Sequence, residues 1–524
     1  MKIERTKNTV NNIKAGLILK AYQMIVPFVI RTIMIYVLGV QYLGLSSLFA
    51  SVLNVLNLAE LGVGSAMVFA MYRPIAHDDE RMICALMRQY RKYYRFIGLV
   101  IGVAGLLLTP AIPYLISGEV PANIDLYALY MLNLGATVLS YWLFAYKSCL
   151  LLAHQRTDVM SFISMITYTF QCLLQILVLV VYKNYYLYVI VSLATQALNN
   201  VVTAAITTKM YPKYRPVGVM SKGEVREINQ KIRDIFTAKV GSVVLKSADS
   251  IVVSSFMGLS VLAIYNNYYF VASSVISIIE IILSSMMAGL GNSYVLETKQ
   301  KNYADLRKFT FVFLWMTGMC TCCFIGMYQP FMEIWTGPEL MLDFGAVICF
   351  AVYFFVCTLN RLLSIYKDAA GLWHKDRFRP LITSTVNLLL NLWWVNSWGI
   401  HGVVLSTVVS MVAIGMPWIV YNLFTSFFDR SMMRSYVNQL LRHVLFTALA
   451  GALVFAICAW LPLNSWLKLG ISAIVSVVVP NLLFFVCMRK DAPFAPSVHF
   501  VDQLTGGKLN LAQLLLKATK ENVS

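Results

Sequence analysis

The chain has 524 residues, of which 59% are hydrophobic and only 13% charged, with a mean hydropathy of +0.70. Soluble domains carry about 25% charged residues, so this composition excludes a water-soluble globular fold and makes lipid the main solvent. The formal net charge of +18 is spread over short loops. That spread fits cytoplasmic Lys and Arg under the positive-inside rule better than a nucleic-acid surface.

A membrane-crossing helix needs about 20 mostly apolar residues. Fourteen segments qualify: 15–38, 43–71, 94–117, 124–149, 158–182, 185–208, 235–257, 261–289, 307–330, 342–366, 379–395, 400–424, 440–462 and 466–488. Lys2, Arg5, Lys7 and Lys14 ahead of the first segment imitate a signal peptide. The segment nevertheless contains Lys20 and Arg31 and leads straight into another span, so it reads as helix 1. The loops alternate in charge. The N-terminus and loops 72–93, 209–234, 290–306, 367–379 and 425–439 are basic, whereas those around 39–42, 119–125, 258–260 and 333–343 are neutral or acidic. The alternation requires an even number of spans and places both termini in the cytoplasm. The tail beyond Lys490 holds one possible amphipathic segment, around Leu509 to Leu516.

The chain repeats itself at an offset of about 219 residues. Lys20 matches Lys239, and Gly39-Val40-x-x-Leu43 matches Gly258-Leu259-x-x-Leu262. At an offset of about 220, Tyr146-Lys147 matches Tyr366-Lys367 and His154 matches His374. Six spans separate the copies, so both enter the membrane in the same direction and form parallel repeats related by a pseudo-twofold axis. The expected architecture is an all-α polytopic membrane protein. It has an N-terminal six-helix bundle (1–210), a cytoplasmic linker (211–234), a second six-helix bundle (235–425), two additional helices (440–488) and a cytoplasmic tail (489–524).

Ionisable groups inside a membrane are costly and face a protein interior or a wet cavity. In helix 1, Lys20, Gln23, Pro27 and Arg31 share one face. In helix 7, Lys239, Ser242, Lys246 and Asp249 do the same. Helix 2 carries Asn54, Asn57 and Glu60 at steps of three, and helix 8 carries Asn266, Asn267, Ser273, Ser277 and Glu280. These stripes are expected to line a central cavity that is cationic towards the cytoplasm. Lys147, Arg361 and Lys367 are placed in a cytoplasmic vestibule, where snorkelling is an equally good account. Lys246 with Asp249 also suits a buried structural pair. A cationic cavity suits an anionic head group such as a diphosphate. Glu60, Asp249 and Glu280 are the candidates for binding a coupling ion, H+ or Na+; no cofactor or resident metal is expected.

Other motifs carry less. Cys320, Cys322 and Cys323 lie in an apolar run and read as packing residues. His154 with Asp158 has the look of an acyl-transfer base. Its repeat mate His374 lacks the spacing and no DxD motif is present, so an enzyme is not expected. His77-Asp78-Asp79-Glu80 reads as a solvated loop rather than a metal site.

Three segments stand out: VLNLAELGVGSAM at 55–67, SADSIVVSSFMGLSVLAIYNNYY at 247–269 and NLWWVNSWGIHGVVLSTV at 391–408. They resemble the polysaccharide biosynthesis proteins, the lipid-linked oligosaccharide flippases of the multidrug/oligosaccharidyl-lipid/polysaccharide exporter superfamily. The resemblance covers most of the first twelve helices. It implies two six-helix bundles forming a V around a central cavity, and alternating-access transport coupled to an ion gradient. It also implies a substrate, a polyprenyl-diphosphate-linked glycan moved across a bacterial plasma membrane, with glycosyltransferases and a polysaccharide polymerase as possible partners. Asp249 is carried over as the acidic residue of its segment. The family's DLGL at the end of helix 2 reads Glu60-Leu61-Gly62-Val63 here, which keeps the charge on a longer side chain. A cation-coupled multidrug antiporter and a peptidoglycan-precursor flippase are alternatives of the same superfamily.

Overall fold

The structure, a computed structural model, describes residues 5–460 and 464–504, and those residues form helices and short connections. The α-helices are α1 (Arg5–Val37), α2 (Val40–Leu56), α3 (Val63–Ala76), α4 (Glu80–Leu108), α5 (Leu126–Trp142), α6 (Ser148–Ala153), α7 (Thr157–Leu177), α8 (Tyr185–Met210) and α9 (Lys222–Met257). They continue as α10 (Leu259–Leu296), α11 (Lys299–Thr336), α12 (Phe344–Ala369), α13 (Trp373–Asp376), α14 (Arg379–Ser410), α15 (Met416–Ser426), α16 (Arg430–Ala459), α17 (Ser465–Met488) and α18 (Phe494–Leu504).

Among the described residues, twelve helices are long and apolar enough to cross a membrane. The pair Leu126–Trp142 and Ala145–Ala153, bent by 45°, makes a thirteenth if the two helices count as one span. One of the twelve, Trp373–Ser426, runs 54 residues. At 1.5 Å per residue that is about 80 Å, far more than one crossing. It is interrupted at Gly399 (φ 53°, ψ −132°), between the spans expected at 379–395 and 400–424. The chain is therefore a multi-pass, all-α membrane protein. The amphipathic segment expected around Leu509 to Leu516 lies outside the described residues.

Backbone geometry carries the repeat further than residue matching does. Gly39 and Gly258 both have positive φ (113° and 87°) and each opens the second helix of its copy. Gly118 and Gly337 (φ 82° and 87°) stand at the same spacing after the third helix of each copy. Asp125 and Asp343 then cap the fourth helices by accepting backbone N–H groups. Side-chain capping of this kind satisfies amides that a helix start leaves free.

Contacts divide the chain into two compact units: Met1–Asn266 with Asn391–Asn396, and Asn267–Leu390 with Ser397–Ser524. In the first unit α1 packs on α7, α4 on α5, and α2 on α9. The start of α10 crosses α2 so closely that a methyl on Gly44 would overlap the backbone carbonyl of Leu259. Backbone cannot yield as a side chain can. Gly44→Ala is therefore expected to cost about 1–3 kcal/mol, the range for overpacking, read as a lowered thermal midpoint in detergent.

In the second unit α11 is the hub, with α12, α16, α17 and α18 packed on it. Small residues allow the close approach, a common adhesive of membrane helices. Gly318 lies under Phe484 and Thr447, and Gly326 lies under Ser476 and Val454. Phe311, Phe484, Met488, Phe494 and Val498 close an apolar core over the end of α17. The last two spans and α18 are thus integral to this unit.

Candidate functional site: a broken helix between two polar cavities

The second span was expected as one unbroken helix, 43–71. The structure instead breaks it: α2 ends at Leu56, Asn57–Glu60 form a 3-10 turn, Leu61 is extended (φ −55°, ψ 121°), and Gly62 is left-handed (φ 91°) before α3 begins. The break stands at the end of the membrane-length segment Val40–Glu60, and irregular backbone there survives where protein or water satisfies it. Gly62 is required twice over. Its φ disfavours any side chain, and a Cβ would stand 2.8 Å from the Ile232 carbonyl oxygen and 3.1 Å from the Ile235 side chain.

Two polar cavities of the first unit flank this break, and Asn57 and Glu60 line both. The first, about 380 Å³, is also lined by Asn54, Gly62, Gly64, Ser65, Lys239 and Ser247. There Lys239 Nζ donates to Ser65 Oγ at 3.3 Å. The second, about 360 Å³, lies within the bundle and is lined by neutral polar groups, among them Ser140, Ser164, Gln196, Asn199 and Asn200, with Tyr94 and Tyr141.

Glu60 is held firmly. Tyr94 donates to Oε1 and Tyr141 to Oε2, each at 2.7 Å, and Tyr90 donates to the Tyr94 hydroxyl at 2.8 Å. A second contact joins the Tyr141 hydroxyl to Asn57 Oδ1 at 3.1 Å. A phenol has one proton to give, and the shorter contact to the charged acceptor takes it. Hydrogen bonds to an ionised group contribute about 1.5–3 kcal/mol each, so the carboxylate is the fixed point of the break.

Of the residues expected to line a cavity, Asn54, Asn57, Glu60 and Lys239 come together here. Arg31 lies elsewhere, its Nη1 donating to the Asn266 carbonyl at 3.4 Å. Lys20 is half-buried and makes no hydrogen bond or ion pair among the described residues. The Lys246 side chain lies outside the described residues, so its pairing with Asp249 is not described. Asp249 is buried; Asn391 donates to its Oδ1 at 2.6 Å and Tyr265 to its Oδ2 at 3.4 Å. Asn266 and Asn267 are both buried. In the second unit Glu280 pairs with Arg361 at 2.7 Å. Lys147 donates to Thr208 at 2.6 Å, whereas Lys367 is buried among Asp368 and Asp376 at 2.6 and 2.8 Å.

Periodicity missed Tyr90, Tyr94, Tyr141, Ser65 and Ser247. Nothing in their spacing separates them from the rest of 29 tyrosines and many serines. Asn391 was in view only as the first residue of a family-like segment.

His154 and Asp158 form no acid–base pair. Asp158 is engaged by Arg156 through two hydrogen bonds, at 2.9 and 3.1 Å. His154 Nδ1 bonds the Leu150 carbonyl, and its ring stacks on Tyr211 at 4.3 Å. Burial holds its imidazole below the ordinary histidine range, so it is neutral at pH 7. Among the described residues no group of three or more His, Cys, Asp or Glu is placed to hold a metal.

No family model matches the sequence, and no curated protein matches it. Solved structures match in fold. The lipid II flippase MurJ in an inward closed conformation is 13% identical with a TM-score of 0.69, over 91% of this chain and 99% of its own. An inward-facing multidrug resistance MATE family transporter of the MOP superfamily is 14% identical with a TM-score of 0.55, over 77% of this chain and 96% of its own. A MOP superfamily transporter from Pyrococcus furiosus, described by a reversed polarity of its binding pocket, is 14% identical with a TM-score of 0.51, over 82% of this chain and 96% of its own. At such identities the likeness is one of fold. The chain has the MurJ/MATE-like fold, and these structural neighbours are transporters, not enzymes.

Proposed function

We propose that this protein is a flippase that moves polyprenyl-diphosphate-linked oligosaccharides across the bacterial plasma membrane for cell-surface polysaccharide synthesis. One observation carries the reading: a cavity at a broken membrane helix joins a cation, Lys239, to the amides of Asn54 and Asn57 and the hydroxyl of Ser65. Lys239 with these neutral donors and acceptors suits an anionic phosphate next to sugar hydroxyls, the one carboxylate of the cavity, Glu60, being already engaged by the Tyr94 and Tyr141 hydroxyls. Arg31, Lys20 and Lys246 extend the diphosphate-binding face along α1 and α9, and the polyprenyl tail stays in lipid. The bundles 1–210 and 235–425 alternate in access, and Glu60 or Asp249 binds the coupling ion.

The MATE-like fold and the buried Asp249 carboxylate support a second reading, a cation-coupled multidrug antiporter. One experiment separates the two. Purified protein in liposomes is given a fluorescent polyprenyl-diphosphate sugar, and leaflet exchange is followed by quenching. Accelerated exchange that falls in Lys239→Ala is the expected result. No acceleration, together with export of a lipophilic cation that Asp249→Asn abolishes, replaces the flippase with the antiporter. A peptidoglycan precursor moved in preference to other glycans narrows the substrate to that class.

A further inference from the structure

The buried face of α16 runs through Tyr436, Gln439, His443, Thr447, Ala450 and Val454. Its opposite face divides sharply. Ser431, Arg434, Ser435, Asn438 and Arg442, three turns at helical spacing, line an open groove of about 660 Å³ with Leu441. Beyond them the same face is apolar and exposed: Leu445, Leu449 and Leu453 are 46–56% exposed. Counting back from the far end of α16 at Ala459, about 20 residues cross the hydrocarbon. Arg442 therefore falls at its edge and Arg434 about 12 Å further out, at head-group level.

The charges of this groove do not cancel. Asp491 is taken by Arg442 at 2.6 Å and Asp429 lies 3.7 Å from Lys299. Arg430 is turned to the Tyr421 hydroxyl. Arg434 has no partner among the described residues, and neither have the side chains of Ser431, Ser435 and Asn438. The groove is therefore a cationic, donor-rich surface directly above a leucine stripe. The chain's own last segment fits it poorly, because residues 505–524 carry Lys508, Lys517 and Lys520 against a single acid, Glu521.

We infer that this face of α16 binds an anionic glycerophospholipid of the adjoining leaflet. Its phosphate docks on Arg434 and Arg442, its head-group hydroxyls on Ser435 and Asn438, and its acyl chains lie along Leu445, Leu449 and Leu453. The charge pattern of the loops makes this the cytoplasmic leaflet, whose lipids attract basic residues by about 1 kcal/mol each. The site is distinct from the broken-helix cavities and does not depend on what is transported.

Native mass spectrometry of the full-length protein tests it, with phosphatidylglycerol and phosphatidylcholine of matched chains added to the micelles. Phosphatidylglycerol should be retained more tightly, and Arg434→Gln should weaken it about fivefold, the equivalent of about 1 kcal/mol. Arg434 is exposed and unpartnered, so the variant should melt like the wild type. Arg442→Gln should weaken the lipid too, but it also releases Asp491, so Arg434→Gln decides. Inorganic phosphate at millimolar concentration should not compete. Equal retention of the two lipids, an unchanged affinity in Arg434→Gln, or full competition by phosphate would each overturn the assignment.

Discussion

Glu60→Gln is expected to lower transport on the order of 10²-fold while the protein still inserts and stays folded at the assay temperature, with a lowered melting temperature because one bond to the helix break is lost. The substitution keeps the volume of the side chain and removes one charge. In the native site each carboxylate oxygen accepts one phenol proton, from Tyr94 and from Tyr141. An amide offers one acceptor and one donor group, so one phenol loses its acceptor and meets N–H instead. Losing one charge-assisted bond of about 3 kcal/mol from a step that depends on it gives a factor of that size. Tyr94→Phe should cost less, about tenfold, because Tyr141 still donates to Oε2. Transport in proteoliposomes is the readout, with the melting temperature as control. If Glu60→Gln transports normally, the carboxylate is a structural clamp for the break and takes no part in coupling.

The polar stripe of the second span was legible because Asn54, Asn57 and Glu60 recur every three residues. That spacing belongs more closely to a 3-10 turn, where side chains at i and i+3 eclipse, than to the α-helix it suggested. The structure places Asn57–Glu60 in such a turn. The departure of Glu60-Leu61-Gly62-Val63 from the family segment was visible, but not its consequence. A left-handed glycine is a backbone fact that hydropathy cannot record. Partners distant in sequence were equally hidden. Asp249 had a candidate one turn away in Lys246, whose side chain lies outside the described residues; the described hydrogen bonds to Asp249 come from Tyr265 and from Asn391, 142 residues on. Matching between repeats also misled in detail. Lys147 and Lys367 align, but Lys147 bonds a threonine hydroxyl while Lys367 is buried among carboxylates.

That buried cluster leads to the largest expected effect on stability. Asp376 is 3% exposed and Lys367 6%, and the two are 2.8 Å apart. Arg379 donates to both oxygens of Asp376, at 2.6 and 2.9 Å, and Asp368 balances the set from the other side of Lys367. The four charges cancel and tie α12, α13 and α14 together. Asp376→Ala leaves two largely buried cations facing one half-buried carboxylate. Breaking such a pair from one side costs about 3–5 kcal/mol, a large share of the 5–15 kcal/mol that holds a typical domain together. The variant should melt far below the wild type in detergent, or fail to accumulate. Adding Lys367→Met should restore part of the loss, because the remaining Arg379 and Asp368 are again balanced, and this non-additivity identifies the pair. The same experiment bears on Lys367 as a vestibule cation. Were it a substrate contact alone, Lys367→Met by itself would reduce transport without moving the melting temperature, and the double variant would be no more stable than Asp376→Ala.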